Sequence, residues 1–142
     1  MNLAAPPRHR IALACADRGP DAVIDGCLAL LGGGEADEEL VGVLGGVAGP
    51  RYLDAPPDQR YWLRVWGARG LLWAPWQPRA AAAISVALGD EAWRVREMAA
   101  KVVARHQVGE SFEAVTAILH DPVLRVRIAA ARALRMLTAA GA

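Results

Sequence analysis

Three stretches of the chain follow one pattern: DQRYWLRVWGARGLL from Asp58, DEAWRVREMAAKVVA from Asp90 and DPVLRVRIAAARALR from Asp121, starting 32 and then 31 residues apart. A unit recurring at such a period buries its apolar face only by stacking on its neighbours, so the repeat restricts the chain to a solenoid. The register holds residue by residue. Each Asp is followed six positions later by Arg64, Arg96 or Arg127, and then by the small pairs Gly67/Ala68, Ala99/Ala100 and Ala130/Ala131. Next come the basic residues Arg69, Lys101 and Arg132, and then the aliphatic Leu71, Val103 and Leu134.

Helical periodicity sorts these positions. At about 100° per residue, Val126, Ala130, Ala133, Leu134 and Leu137 gather on one side of a helix, Arg125 and Arg132 fall nearly opposite, and Arg127 lies at the border. Unpaired buried charge is rare, so the border set Arg64, Arg96 and Arg127 reads as architectural and the far set as open to a ligand. An Asp ahead of such a pattern accepts hydrogen bonds from first-turn amides, which makes Asp58, Asp90 and Asp121 helix starts, with Pro122 at the first helical position.

On these residues the chain resembles the HEAT-repeat family, including its bacterial HEAT-like members, whose unit is an antiparallel helix pair A and B. The resemblance implies an all-α fold, a short right-handed α-solenoid of armadillo-type superhelical build. It implies that Asp58, Asp90 and Asp121 open the B helices and that Arg64, Arg96 and Arg127 link neighbouring repeats by hydrogen bonds. It covers residues 58–142 as clear repeats. Residues 1–57 are expected to be divergent or capping helices of the same single domain, 1–142.

Punctuation by Pro and Gly places the other elements. Helical patterns run from about Arg8 to Ala16, Asp21 to Leu31 and Ala36 to Val47, with Gly32, Gly33 and Gly34 breaking the second from the third. Gly49-Pro50 and Ala55-Pro56-Pro57 mark a loop before the first B helix, and A helices are expected over about Arg79 to Leu88 and Ser111 to His120. Gly42, Gly45, Gly46 and Gly49 read as sites of close helix approach. The run Gly32-Gly33-Gly34 lacks the Lys-Ser/Thr of a phosphate loop and has no strand before it.

Catalysis finds no support in the motifs. His9, His106 and His120 are scattered, and neither Cys15 nor Cys27 has a partner at metal-ligand spacing, so no catalytic, metal or cofactor residue is assigned and the chain reads as a non-enzyme. Glu97 and Glu113 are expected on solvated helix faces. The two cysteines are too few for a disulfide scaffold and read as buried thiols of a cytoplasmic protein. The apolar run Ile11 to Ala16 is shorter than a signal peptide needs, and no stretch approaches a membrane span of about 18 apolar residues.

Charge and tryptophan carry the functional signal. Residues 1–57 hold four basic against eight acidic residues, net −4, whereas residues 58–142 hold twelve against seven, net +5. That asymmetry permits weak head-to-tail self-association. In HEAT-like solenoids the B helices line the concave side, so the resemblance puts Trp62, Arg69, Arg94, Lys101, Arg105, Arg125, Arg132 and Arg135 in one basic groove. Five tryptophans, Trp62, Trp66, Trp73, Trp76 and Trp93, fall within 32 residues. Trp66 reads as filler between repeats, Trp73 and Trp76 as wedges at a proline turn, and Trp62 as a binding hot spot. Two functions follow: a noncatalytic scaffold module that holds an acidic protein partner, or a nucleic-acid binder related in architecture to HEAT-like alkylpurine DNA glycosylases. The bland alternative for the basic face is a solvated surface kept soluble by arginine.

Overall fold

A computed structural model describes residues 1–141. All the regular elements among them are helical. They group into two compact units, Met1–Trp76 and the residues from Gln77 onward.

The first unit contains α1 (Pro7–Arg18), α2 (Pro20–Leu31), α3 (Glu38–Gly45) and α4 (Tyr61–Trp73). Gly19, at φ 89°, turns α1 into α2, and Pro20 opens α2 where its missing amide hydrogen costs nothing. On α2 the residues Val23, Ile24, Cys27 and Leu30 form one fully buried stripe, and α4 is its main neighbour. Glycines on α4 let that contact be close. A Cβ on Gly67 would lie 2.7 Å from the Cys27 carbonyl oxygen, and one on Gly70 would lie 2.2 Å from Cys27 Sγ.

Helix α3 is fixed at both ends. Asp37 accepts from the Leu40 amide at 2.8 Å, and Arg18 at the end of α1 holds the same carboxylate at 2.9 and 3.2 Å. At the other end Arg10 donates to the Val43 carbonyl at 2.8 Å and Arg69 to the Leu44 carbonyl at 3.0 Å, where the helix dipole favours cations. Arg10 is buried, and it also donates to the carbonyls of Leu3 and Ala5, which ties down the amino-terminal residues. Among the expected close-approach glycines, Gly45 fits: an added Cβ would sit 2.7 Å from the Trp66 ring. Gly49 packs on the Val41 carbonyl, whereas Gly46 serves a turn at φ 85°.

The second unit contains α5 (Ala81–Ala87), α6 (Trp93–His106), α7 (Phe112–Ala117) and α8 (Leu124–Gly141). Each A helix is shorter than its sequence pattern, because 3₁₀ turns occupy Pro78–Ala80 before α5 and both Gly109–Ser111 and Ile118–His120 around α7. Ser85 and buried Ser111 share a hydrogen bond of 2.8 Å between them. Helices α6 and α8 lie side by side over a core of Val95, Ala99, Val102, Val103, Val126, Ala130 and Ala133. Helix α6 ends at Gln107 in the left-handed conformation, φ 52°.

The three repeat helices α4, α6 and α8 each begin three residues after the repeat aspartate, at Tyr61, Trp93 and Leu124. The aspartates themselves stand in the preceding turn rather than at the cap. Asp90 and Asp121 each accept from the amide two residues on, Ala92 at 2.8 Å and Val123 at 2.9 Å. Asp58 lies within the 3₁₀ turn Pro57–Gln59. Pro122 is therefore not the first helical residue; the side-chain turn made by Asp121 occupies its position and delays α8 to Leu124.

Gly67→Ala tests the close contact. Alanine gains about 1 kcal/mol of helix propensity, yet overpacking against α2 is expected to dominate and to cost about 1 to 3 kcal/mol net in urea denaturation. A neutral or stabilised variant would show that α2 and α4 have room to separate.

Candidate functional site

The basic side of the second unit is built from two helix faces. Along α6, Glu97, Lys101 and Ala104 follow at helical spacing, and along α8 Arg125, Ile128, Ala129 and Arg132 do the same. Together these seven side chains line a groove of about 240 Å³. Its floor is aliphatic and alanine-rich, and its charges are three cations and one carboxylate.

The carboxylate belongs to Glu97, which is buried, contrary to the solvated face expected for it. Arg125 reaches across from α8 and holds it in a two-point pair, Nε to Oε2 at 2.8 Å and Nη2 to Oε1 at 3.1 Å. Lys101 Nζ stands 3.9 Å from the same group. Arg125 also passes over Trp93, 5.3 Å from the ring centroid, and Arg94 covers that ring at 4.4 Å. The Arg125 side chain nonetheless remains 63% exposed. Beside it Leu124 and Ile128, one turn apart on α8, are each 59% exposed.

Of the eight residues expected in one groove, Lys101, Arg125 and Arg132 meet here. Arg94 neighbours Arg125 across Trp93, and Arg105 and Arg135 are exposed on α6 and α8. Trp62 and Arg69 belong to the first unit. Trp62 is half-buried, stacked on Trp66 with centroids 6.2 Å apart and against Tyr61 at 5.1 Å. Arg69, bonded to the end of α3, has its guanidinium committed within that unit. Trp66 is buried and meets Tyr52 edge to face, as a filler would, and Trp73 carries the Arg8 guanidinium 4.9 Å above its ring.

Glu97 is the groove residue that periodicity alone missed, although the repeat register marks it. Seven residues after each repeat aspartate stand Val65, Glu97 and Ile128. A carboxylate at a position that is otherwise aliphatic is a departure from the register, and in the structure it meets Arg125.

Behind the groove lies the bridge that aligns α6 with α8. Arg96 donates Nε and Nη2 to the two carboxylate oxygens of Asp121 at 2.7 and 3.1 Å, and Nη1 to the carbonyls of Asp90 and Glu91 at 2.8 and 3.2 Å. Arg127 repeats the inner half of this pattern, donating to the Asp121 carbonyl at 2.7 Å. Burial pushes the Asp121 carboxyl up, but the bonds from Arg96 and the Val123 amide, with the charges of Arg96 and Arg127, outweigh it and hold the group below its ordinary range.

The remaining chemistry is sparse. Burial raises both thiols, Cys15 and, to about 12, Cys27, which keeps Cys27 protonated and un-nucleophilic at neutral pH. Among the described residues, no group of three or more His, Cys, Asp or Glu is placed to hold a metal ion. Gly32 closes α2 and the exposed Gly33 turns away at φ 83°, which is a helix stop and not a phosphate cradle.

The family model for HEAT repeats matches residues 58–142. The chain belongs to the HEAT-repeat family. HEAT repeats generally mediate protein interactions, and the family is typically non-catalytic. No curated protein and no solved structure matches the chain. In HEAT terms α6 and α8 are B helices, and α5 and α7 their A partners. No helix among the described residues is long and apolar enough to cross a membrane.

Arg96→Ala is expected to cost about 1 to 3 kcal/mol through lost buried hydrogen bonds, and Arg94→Ala under about 0.5 kcal/mol, when both are measured by chemical denaturation. Equal losses would refute the difference in role. The bridge should also respond to acid. Because folded Asp121 is more acidic than its unfolded counterpart, its contribution is complete above about pH 3.9 and disappears as pH falls through the lower folded value. The stability of Arg96→Ala should therefore decline less than that of wild type across this acid range.

Proposed function

We propose that the protein is a noncatalytic interaction module that holds an acidic protein partner on the α6–α8 face of its second unit. The observation that carries this reading is the groove, in which Lys101, Arg125 and Arg132 surround an aliphatic floor beside exposed Leu124 and Ile128. Charged rim and apolar centre are the usual anatomy of a protein interface, and the positive field steers an acidic partner toward it. Arg94, Arg105 and Arg135 extend that field along both helices. Trp62, half-buried on the first unit, is a separate candidate anchor. Two unpaired buried thiols suit a reducing, cytoplasmic setting.

The test is a tagged wild-type protein compared with the variant Lys101→Gln/Arg132→Glu/Arg135→Glu in nuclease-treated lysate. Protein capture by wild type should persist after nuclease and be lost in the variant. The variant's melting temperature should stay close to that of wild type, because exposed charges contribute about 0 to 1 kcal/mol each. Capture that survives the charge changes would move the interface elsewhere, and capture that vanishes with nuclease would favour the nucleic-acid reading. Trp62→Ala should weaken capture by about 2 kcal/mol if its ring touches the partner, and should only destabilise the fold if it packs internally.

A further inference from the structure

We infer that Glu97 is an internal stand-in for a carboxylate of the partner, so that the groove recognises an acidic residue next to an aliphatic one and binds by exchanging carboxylates at Arg125. The inference rests on the protein-binding reading above and specifies its ligand. Three observations converge on it.

Glu97 breaks the repeat register where Val65 and Ile128 stand in the other units, so stacking itself does not require a carboxylate there. Glu97 is held at Arg125 by two bonds, yet the Arg125 side chain keeps 63% of its surface in solvent. The side chain is thus paired with Glu97 and still largely open to solvent. Lastly, Glu97 neutralises only one of three cations, which leaves the groove a net charge of +2 on Lys101, Arg125 and Arg132 around Ile128.

Among the described residues Lys101 reaches Glu97 only at 3.9 Å and Arg132 is exposed with no carboxylate paired to it, so an incoming carboxylate finds two cations without a strong partner. It would share or take Arg125 while its aliphatic neighbour covers Ile128 and Leu124, removing exposed apolar surface from water. Because Glu97 is buried, giving up Arg125 must turn its carboxylate toward Lys101 and solvent, so net affinity comes from the additional cations and the apolar contact, which have to outweigh that cost. Glu97 meanwhile holds Arg125 extended over Trp93, in the place where the ligand needs it. It acts as a positioning residue and a competitor at once.

The experiment measures fluorescence anisotropy with the full chain and a fluorescein-labelled peptide of the composition Glu-Leu-Gly-Glu-Leu-Gly-Glu. The matching Gln peptide and an oligothymidylate of similar length serve as controls. Wild type should bind the Glu peptide, and not the Gln peptide, in a salt-sensitive manner. Glu97→Gln keeps an acceptor for Arg125 but removes the competing charge, and should tighten the Glu peptide by about five- to tenfold with a steeper salt dependence. Arg132→Glu should abolish binding in either background. If Glu97 were only a structural partner of Arg125, Glu97→Gln would lower the melting temperature and leave affinity unchanged or weaker. That outcome overturns the exchange while sparing the protein-binding reading. Absence of Glu-peptide binding by wild type, or tighter binding of oligothymidylate, overturns the acidic-peptide ligand itself. Should Glu97→Gln unfold, Glu97→Val, which places there the residue type that stands at Val65, supplies the same decision: tighter Glu-peptide binding supports the exchange, and unaltered or weaker affinity overturns it.

Discussion

The second unit depends on one guanidinium. Arg96 touches the turn of its own repeat through the carbonyls of Asp90 and Glu91 and the turn of the next through both oxygens of Asp121. Apolar contact is non-directional, so the Val and Ala packing between α6 and α8 does not by itself stop the two helices sliding. Four directional bonds from a planar group do stop them. Asp121 passes the constraint onward, since its Oδ1 accepts from Val123 and its carbonyl from Arg127. The turn that launches α8 is thereby fixed to α6 independently of the side chains that line the groove.

This arrangement explains which features were legible in the sequence. The Asp-to-Arg spacing belongs to a local turn plus a repeat translation, both of which the linear order preserves, so the order and approximate places of α4, α6 and α8 follow from it, although each helix begins three residues past its Asp. The exact work of each Asp does not, because a cap and a two-residue side-chain turn use the same residue type and differ only in backbone angles. Arg69, Lys101 and Arg132 share one register position but not one fate. Arg69 meets the exposed carbonyl of Leu44 where α3 ends, a neighbour that the pattern of α4 cannot reveal. In residues 1–57, Pro and Gly punctuation places α1 to α3 well. That α2 is the main neighbour of α4, as α6 is of α8, stays hidden, for on the α4 side the close approach is made at Gly67 and Gly70, which carry no side chain to mark it.

The groove shows the same division between position and environment. Lys101, Arg125 and Arg132 were readable as cations opposite the apolar stripe. Glu97 looked like one more charge on a wet surface, and it is buried because an arginine from the adjacent helix closes over it. Burial of a carboxylate is a property of two helices in register. Only the comparison of Val65, Glu97 and Ile128 across repeats carries a trace of it in one dimension.

Arg10 presents a contrasting solution to buried charge. Its partners are main-chain oxygens of Leu3, Ala5 and Val43, and burial lowers its proton affinity from the ordinary arginine value without bringing it near neutrality. Peptide carbonyls neither gain nor lose protons across the range a protein meets. The clasp that holds the amino-terminal residues against α1 and α3 therefore has no titrating half, and acid that weakens a carboxylate bridge leaves this one chemically unchanged.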